Sequence, residues 1–319
     1  MRTNHATRCL PWLCAAFLST ACGPEATAPE TPVSAPSQTE PEAPAAGAVT
    51  QTTNPLVERG RYLVESIAGC GNCHTPRDAA GELLREDMNL AGAFVIEEPA
   101  FTAYAPNITP DIETGIGSWS EDEIARAIRE GMRPDGQVLG PPMSFVFYRG
   151  ISDGDIRAIV AYLKSVPAVR NRVPRTQFNI PLPPSWGPPV ESVAEVSRDD
   201  VVAYGAYLAG PVGHCIDCHT PLVEGQLDLS RVGQGGNVYQ RPFALDFAAV
   251  SSNITSHPER GLGAWTDDEI KRAITTGVSR DGRELLPFMA FGYYENISAQ
   301  DLDALIAYLR TIPPGPLGD

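Results

Sequence analysis

The chain has 319 residues, 43% hydrophobic and 20% charged, which is enough for about two domains with ordinary globular cores. Its 39 acidic residues outnumber its 24 basic residues, and the resulting net charge of −15 argues against nucleic acid as a partner. A partner protein with a positively charged docking face suits this charge better, and the alternative is that the charge serves only solubility.

Residues 1–22 have the pattern of a secretory signal peptide, because Arg2 and Arg8 precede a short apolar run that ends in small residues. The run is too short to span a bilayer. Cys22 stands where a bacterial lipoprotein is cleaved and acylated. Ser19 replaces the leucine usual three residues earlier, so ordinary signal cleavage is the alternative. We expect a periplasmic protein that is anchored to a membrane by a lipid on Cys22.

Two Pro-rich segments divide the remainder of the chain. Residues 23–54 contain almost no aliphatic side chains and are predicted to form a disordered tether. Residues 169–197 are predicted to link two domains, which comprise residues 55–168 and 198–319. The linker carries three large apolar residues that predict packing on a surface: Phe178, Ile180 and Trp186.

The two predicted domains are repeats of each other. Asn107-Ile108-Thr109 recurs as Asn253-Ile254-Thr255, and a Gly-x-Gly-x-Trp segment ends at Trp119 in one copy and Trp265 in the other. These positions differ by 146 (253 minus 107), whereas two cysteine pairs differ by 145 (215 minus 70). Duplication of one fold is the simplest explanation.

Each repeat is predicted to be mainly helical. Ser120 with Glu123, and Thr266 with Glu269, are spaced as capping boxes at helix starts. No run of alternating apolar residues predicts a strand, so the predicted fold class is all-α. Four further helices are predicted from apolar periodicity and from the caps Ser152 and Ser298: Val57–Ser66, Val201–Leu208, and the closing helices around Ile156–Leu163 and Leu302–Leu309.

Both cysteine pairs belong to a Cys-x-x-Cys-His motif, which is typical of covalent attachment of a c-type haem. The motifs are Cys70-Gly71-Asn72-Cys73-His74 and Cys215-Ile216-Asp217-Cys218-His219. One helical turn presents two thiols to the two porphyrin vinyl groups, and the adjacent imidazole of His74 or His219 then faces the iron. The sequence therefore predicts two covalently bound haem c groups.

Three other uses of these cysteines remain as alternatives. A zinc site would need the two motifs to converge, because one pair with its histidine supplies only three ligands. A thioredoxin-like redox pair would need a βαβ context, which the sequence lacks. A simple disulfide would explain neither the repeated histidine nor the Thr-Pro that follows it in both copies.

The second axial ligand is predicted to be Met143 in the first repeat and Met289 in the second. Methionine is more often packing material, but these two occupy equivalent positions downstream of the haem motifs. The rival candidates have no equivalent in the other repeat: Met132 aligns with Val278, Met88 lies in an unmatched stretch, and His214 and His257 align with Gly69 and Asp111. We expect both of these histidines to be surface residues.

Further repeated residues are candidates for holding the haem groups. A backbone carbonyl near Pro76 or Pro221 could accept the imidazole N–H and orient the ring. Asn107, Trp119, Asn253 and Trp265 are candidates for donating hydrogen bonds to haem propionates. The alternative is that the asparagines form turns and the tryptophans pack in the core.

With these motifs, both predicted domains resemble the class I cytochrome c fold. They are most similar to the diheme cytochromes that serve as electron-accepting subunits of periplasmic dehydrogenases. The similarity lies in Cys-His-Thr-Pro, Asn-Ile-Thr-Pro-Asp, Gly-Ile-Gly-Ser-Trp-Ser and Pro-x-Met. It implies His/Met ligation and single-electron transfer between a dehydrogenase and another cytochrome or an oxidase. Several members of that group carry three haems, whereas this chain has two motifs.

The protein itself is therefore expected to be an electron carrier rather than an enzyme. The main rival is a diheme redox enzyme of the peroxidase or thiosulfate-oxidising kind, which needs one iron with an open or displaceable ligand. A second rival is a membrane-attached scaffold with a non-redox metal.

Overall fold

A computed structural model of the chain describes residues 54–315. The predicted signal peptide, the anchor residue Cys22 and all but the last residue of the predicted tether lie outside these residues.

The first repeat and the linker contain six α-helices and three short strands within the described part of the chain. In chain order they are α1 (Pro55–Glu65), α2 (Gly71–His74), α3 (Arg85–Met88), β1 (Ala93–Glu98), β2 (Phe101–Ala105), α4 (Glu121–Glu130), α5 (Phe145–Tyr148), α6 (Asp153–Ser165) and, in the linker, β3 (Gln177–Phe178).

The second repeat has the same order of helices but more irregular connections. Its elements are α7 (Val201–Tyr207), which continues as a π-turn over Leu208–Val212, α8 (Cys215–His219), β4 (Leu222–Val223), β5 (Gln226–Leu227), β6 (Val238–Gln240), β7 (Ala248–Val250), α9 (Asp267–Thr276), α10 (Phe291–Tyr294) and α11 (Ala299–Leu309), with 3-10 turns at Leu229–Arg231 and Pro242–Ala244.

The helix caps confirm the sequence predictions. Ser120 and Thr266 each accept a hydrogen bond from the N–H of the glutamate three residues on, and the glutamate carboxylate bonds back to the cap N–H. The closing helices α6 and α11 begin after Ser152 and Ser298, whose side chains accept from Asp155 N–H and Asp301 N–H. These caps satisfy backbone donors that a helix start otherwise leaves free.

The first and last helices of each repeat cross at a glycine. A β-carbon on Gly60 would lie 1.8 Å from the carbonyl oxygen of Ala158 in α6, and one on Gly205 would lie 1.9 Å from that of Ala304 in α11. Only a residue without a side chain allows backbones to approach this closely. The repeated Gly-x-Tyr-Leu sequence therefore sets the helix crossing in both copies.

The expectation that the chain contains no strands is wrong. Strands β1 and β2 form an antiparallel hairpin around the turn at Pro99-Ala100, and the second repeat has two two-stranded sheets, β4–β5 and β6–β7. The register of β1 against β2 shifts between Phe94 and Ile96. Such a bulge breaks the regular alternation by which a strand is recognised in a sequence. Helices still form most of the regular structure.

The linker packs along the first repeat. Strand β3 pairs with β2, which places the Phe178 ring on Phe101 with 6.3 Å between ring centroids. The Trp186 ring stacks on Phe145, and its indole N–H donates to the carbonyl of Leu139 at 2.6 Å. Phe178 and Trp186 thus confirm the predicted packing, whereas Ile180 remains largely exposed.

One cluster of buried apolar side chains runs through both repeats, so the copies share a core. Two equivalent hydrogen bonds also join them: Tyr62 Oη donates to Asp301 at 2.7 Å, and Tyr207 Oη donates to Asp155 at 2.7 Å. The boundary between two tandem domains stays a prediction. No helix within residues 54–315 is long and apolar enough to cross a membrane.

Candidate haem sites

The two Cys-x-x-Cys-His motifs each form about one helical turn. In the first, the N–H of His74 donates to the carbonyl of Cys70 at 3.0 Å, and α8 spans the whole of the second motif. Three residues along a helix return to nearly the same face, so the two thiols of each motif lie on one side of their helix. All four cysteines are free and half-buried, without a disulfide between them.

The two motif histidines are oriented in the same way. His74 Nδ1 lies 2.8 Å from the carbonyl oxygen of Pro106, and His219 Nδ1 lies 2.7 Å from that of Ser252. A ring whose Nδ1–H donates to a carbonyl presents the lone pair of Nε2, which is the form that binds a metal. The prediction that carbonyls near Pro76 or Pro221 accept this bond is wrong, because the acceptors come from 32 and 33 residues further along the chain.

Burial keeps these groups uncharged. It lowers the pKa of both His74 and His219, against the opposing effect of their carbonyl bonds, and so favours the neutral imidazole. Burial also raises the pKa of Cys70 to about 12 and that of Cys73 to about 11. In the second motif it raises the pKa of Cys218 to about 12, with smaller contributions from neighbours that include Asp217 and Cys73. The surroundings thus favour neutral sulfur, which a thioether also supplies.

Met143 and Met289 occupy equivalent places before α5 and α10. Both are half-buried, and each backbone carbonyl accepts from the N–H two residues on, at 3.0 Å from Phe145 and 2.9 Å from Phe291. Met289 also packs against the shared core. Their assignment as iron ligands remains a prediction.

The rival ligands have other roles in the fold. Met132 pairs with Val138 in an isolated bridge, which Val278 repeats with Glu284. His257 is buried rather than a surface residue as predicted, because its Nδ1 accepts the N–H groups of Glu259 and Arg260 in a turn. Asp111, at the equivalent position, accepts from residues 113 and 114 in the same way.

His214 is half-buried rather than exposed on the surface. Its backbone has a positive φ of 43°, as does Gly69 at the equivalent position with φ 52°. Its ring meets that of Tyr148 edge to face. The left-handed backbone before the first cysteine is therefore a repeated feature that the sequence comparison did not reveal.

The two asparagines predicted to bind propionates form the same turn in the two repeats. The Asn107 amide donates to the Val169 carbonyl in the linker at 2.7 Å and to Thr114, while its Oδ1 accepts from Thr109. Asn253 Oδ1 accepts from Thr255 in the same way. The role of Asn107 in the structure agrees with the turn-forming alternative, and propionate binding stays a prediction.

Trp119 and Trp265 both pack partly against the shared core. The guanidinium of Arg133 lies over the Trp119 ring, 5.1 Å from its centroid, and Arg133 Nε is buried without a hydrogen-bond partner. Its nearest carboxylate oxygen, on Asp135, is 3.7 Å away and is too distant for a hydrogen bond. Arg133 Nε is thus a buried donor without a hydrogen bond beside Trp119, and it fits an anionic group such as a carboxylate of a bound cofactor.

Sequence reasoning missed the residues through which the repeats meet. Asn72, inside the first motif, donates to the carbonyl of Phe288, and Ser144 donates to Asp217 inside the second motif. The Tyr293 ring lies directly against Gly71, where a β-carbon would be 2.0 Å from Tyr293 Oη. A repeated sequence shows that two copies exist but carries no signal for how they pack.

The donor set suits haem better than a metal ion held by protein side chains alone. No group of three or more His, Cys, Asp or Glu residues within residues 54–315 is arranged to hold a metal ion. Haem brings four nitrogen ligands of its own, so a single imidazole and one further side chain complete the iron site. Two free thiols beside an oriented, neutral histidine fit this requirement in each repeat.

Comparison with known proteins agrees with this chemistry. Residues 202–313 match the cytochrome c family. The chain is 31% identical over 281 residues to the cytochrome c subunit of a quinone alcohol dehydrogenase from Gluconobacter oxydans, covering 82% of this chain and 56% of that protein. It is 28% identical over 276 residues to the fructose dehydrogenase cytochrome subunit of Gluconobacter japonicus, covering 81% and 53%.

A third relative is a diheme cytochrome c-type protein from Cereibacter sphaeroides, 42% identical over 118 residues, which are 36% of this chain and 37% of that protein. The chain spans about half the length of the dehydrogenase subunits it matches. The chain thus contains a cytochrome c domain and is homologous to cytochrome c subunits of dehydrogenases.

Proposed function

We propose that the chain is a diheme cytochrome c that transfers single electrons. A cytochrome c domain implies covalently bound haem c, and the proposal extends this to both repeats. The observation that carries it is the pair of equivalent imidazoles, His74 and His219, each fixed by a carbonyl beside a Cys-x-x-Cys turn. The four cysteines would form the thioether bonds.

In this proposal Met143 and Met289 supply the second axial ligands. The bound haem supplies one-electron chemistry through its iron. A thioether ligand raises the reduction potential, which suits an acceptor of electrons from a dehydrogenase. With both axial positions filled by the chain, substrate has no access to iron, so the protein would carry electrons without catalysing a reaction of its own.

A dehydrogenase is the proposed electron donor, because several relatives are cytochrome subunits of dehydrogenases. Their names include alcohol, fructose and gluconate dehydrogenases, so they support a class of partner rather than one substrate. A downstream cytochrome or oxidase is the proposed acceptor. The peroxidase-like alternative is not favoured by these relatives.

The proposed location is the periplasm, with a lipid on Cys22 as the membrane anchor. Cys22→Ser is expected to move the protein from the membrane fraction to the soluble periplasmic fraction. A soluble wild-type protein would exclude the anchor and leave the export proposal standing.

The haem count tests the central claim. Denatured protein should retain two haems per chain in a pyridine haemochrome assay, because thioether bonds survive unfolding. The pair of substitutions Cys70→Ala with Cys73→Ala should leave one haem, and Cys215→Ala with Cys218→Ala should leave the other. One haem per wild-type chain, or haem that acid-acetone extracts, would contradict the proposal.

A second measurement tests the ligands. Reduced protein should bind little carbon monoxide if His and Met block both irons, whereas Met143→Ala and Met289→Ala should each open one. Each substitution should also remove part of the far-red absorption band that a ferric iron–thioether bond produces. Met132→Ala should leave the band intact.

A further inference from the structure

Each predicted methionine ligand lies beside the haem-attachment turn of the opposite repeat. Asn72 Nδ2 in the first motif donates to the backbone carbonyl of Phe288 at 3.2 Å, directly before Met289. In the second motif, Asp217 accepts a hydrogen bond from Ser144, directly after Met143. Asn72 and Asp217 are equivalent residues, since 217 minus 72 is 145.

The two contacts use complementary chemistry. An amide can donate to a backbone carbonyl, which an ionised carboxylate cannot, and a carboxylate accepts from a hydroxyl. The Asn72 amide meets the backbone carbonyl of Phe288, and the Asp217 carboxylate meets the hydroxyl of Ser144. The second repeat has Ala290 at the position equivalent to Ser144. An amide and a carboxylate at equivalent positions each therefore meet a group that they can bond.

Asn72 is itself held in place. Arg77 Nη2 donates to Asn72 Oδ1 at 2.7 Å, and Arg77 Nη1 donates to the carbonyl of Gly81 at 2.9 Å. The Arg77 guanidinium lies on the ring of Phe243 in the second repeat, 4.3 Å from its centroid. With its oxygen fixed by Arg77, the Asn72 amide has its N–H group directed at Phe288.

The methionine segments have few other fixed points. Each lies between a proline-containing turn and a helix of only four residues, α5 or α10, which is too short to be stable by itself. On the second segment, the Phe288 ring packs with Tyr239 and Phe243, while the polar bond to its backbone carbonyl comes from Asn72. A contact from the opposite repeat therefore restrains the backbone next to the thioether.

We propose that Asn72 and Asp217 are positioning residues for the axial methionine of the opposite repeat, Met289 and Met143 respectively. This inference rests on the proposed diheme function with His/Met ligation. A residue between the two cysteines that bind one haem would thus hold in place the methionine that ligates the other iron.

The test uses the haem-loaded protein with one methionine removed, so that the far-red band reports a single iron. In Met143→Ala protein the remaining band belongs to Met289. Adding Asn72→Asp should weaken that band and raise the affinity of that iron for added imidazole by roughly three- to tenfold, the equivalent of one hydrogen bond. In Met289→Ala protein, Asn72→Asp should leave the Met143 band unchanged.

The matched control is Asn296→Asp, which alters another amide that donates across the repeats, to the Glu65 carbonyl at 3.4 Å. It should affect neither band. Ser144→Ala provides the reciprocal test and should weaken the Met143 band in Met289→Ala protein. It also keeps the inference testable if Asn72→Asp prevents haem attachment.

The outcomes separate the two proposals. If Met143→Ala and Met289→Ala leave the bands intact, the ligand assignment fails and so does the inference. If they remove the bands, but Asn72→Asp leaves the Met289 band unchanged and Ser144→Ala leaves the Met143 band unchanged, the positioning role is overturned and the diheme function stands.

Discussion

The two repeats have their helices in the same order, six in the first and five in the second, but the linker packs along the first. There, Trp186 stacks on Phe145, which is 2% exposed, and β3 adds a third strand to the hairpin. In the second repeat, the equivalent Phe291 is half-buried, and sheet β6–β7 has only two strands. A duplicated fold can thus keep its framework while one copy depends on a segment that does not cover the other within residues 54–315.

The same contrast appears at the closing helices. The linker residue Glu195 accepts from Ser152 and from the N–H of Gly154, and Val193 accepts from the N–H of Asp153, all at the start of α6. The starts of both helices also meet a tyrosine of the other repeat: Tyr62 Oη accepts from Ser298 N–H, and Tyr207 Oη accepts from Ser152 N–H. The linker therefore reinforces a helix start that the tyrosine contact also supports in both copies.

The largest difference between repeats is expected for the aromatic residue that Trp186 covers. Phe145→Ala should lower the free energy of unfolding by about 3–5 kcal/mol, because it removes a fully buried ring. Phe291→Ala should cost roughly half as much, since less apolar area is buried there. Denaturant unfolding of the haem-loaded proteins measures both. Equal losses would show that the linker adds no stability to the first repeat.

The helix crossings should show no such difference. Gly60→Ala and Gly205→Ala each place a methyl group within 2 Å of a backbone carbonyl, so each should cost about 3 kcal/mol. Gly136→Ala is a useful control, because nothing lies within 4 Å of its β-carbon position and only its φ of 79° is unfavourable. A clear difference between the first two variants in denaturant unfolding would mean that the crossings are not equivalent.

The tyrosine–aspartate bonds should differ in a predictable direction. Tyr207→Phe leaves Asp155 with two hydrogen bonds from Arg59, both at 2.8 Å, and should cost about 1 kcal/mol. Tyr62→Phe leaves the fully buried Asp301 with one bond from Arg198 and should cost about 2–3 kcal/mol. The ranking of the two unfolding free energies is the test, and the reverse order would contradict it.

The smallest effect concerns acid stability of the first repeat. Hydrogen bonds from Ser192 in the linker and from Arg129 lower the pKa of Asp153 to about 2, whereas Ala299 occupies the equivalent position. A carboxyl with a lowered pKa stabilises the fold above its unfolded pKa of about 4, and this contribution disappears as the pH falls towards 2.

The melting temperatures of wild-type and Asp153→Asn proteins should therefore converge between about pH 4 and pH 2. The exposed Asp246 supplies a control, since Asp246→Asn should change the pH dependence little. A difference between wild type and Asp153→Asn that stays constant across this range would show that the carboxyl charge is not involved.

The sequence predicted the parts of this fold that depend on local chemistry. Capping boxes, helix starts after Ser152 and Ser298, and the helical turns of the Cys-x-x-Cys-His motifs all follow from residues within a few positions of each other. The hairpin β1–β2 was missed because its bulge at Phe94–Ile96 interrupts the strand alternation. Short-range patterns identify elements only where the elements are regular.

Contacts between residues far apart in the chain could not be predicted from the sequence. The carbonyls that orient His74 and His219 lie more than 30 residues away, where any backbone oxygen has the same chemistry. The sequence also predicts that His257 is a surface residue, because the first repeat has no histidine at the equivalent position. In the structure His257 accepts backbone N–H groups in a turn, as Asp111 does in the first repeat. Comparison of the repeats by residue identity overlooks different residues that perform the same task.

The exchange of tyrosine–aspartate bonds has a consequence for how the duplicated gene can diverge. Here Tyr62 donates to Asp301 of the second copy, and Tyr207 donates to Asp155 of the first. Loss of either tyrosine therefore removes a hydrogen bond from the other copy. Both tyrosines and both aspartates are identical at equivalent positions, while the segments after the motif histidines His74 and His219 differ in length and sequence. Each copy therefore depends on the other, because deletion of one copy would leave a buried carboxylate in the remaining copy without its tyrosine partner.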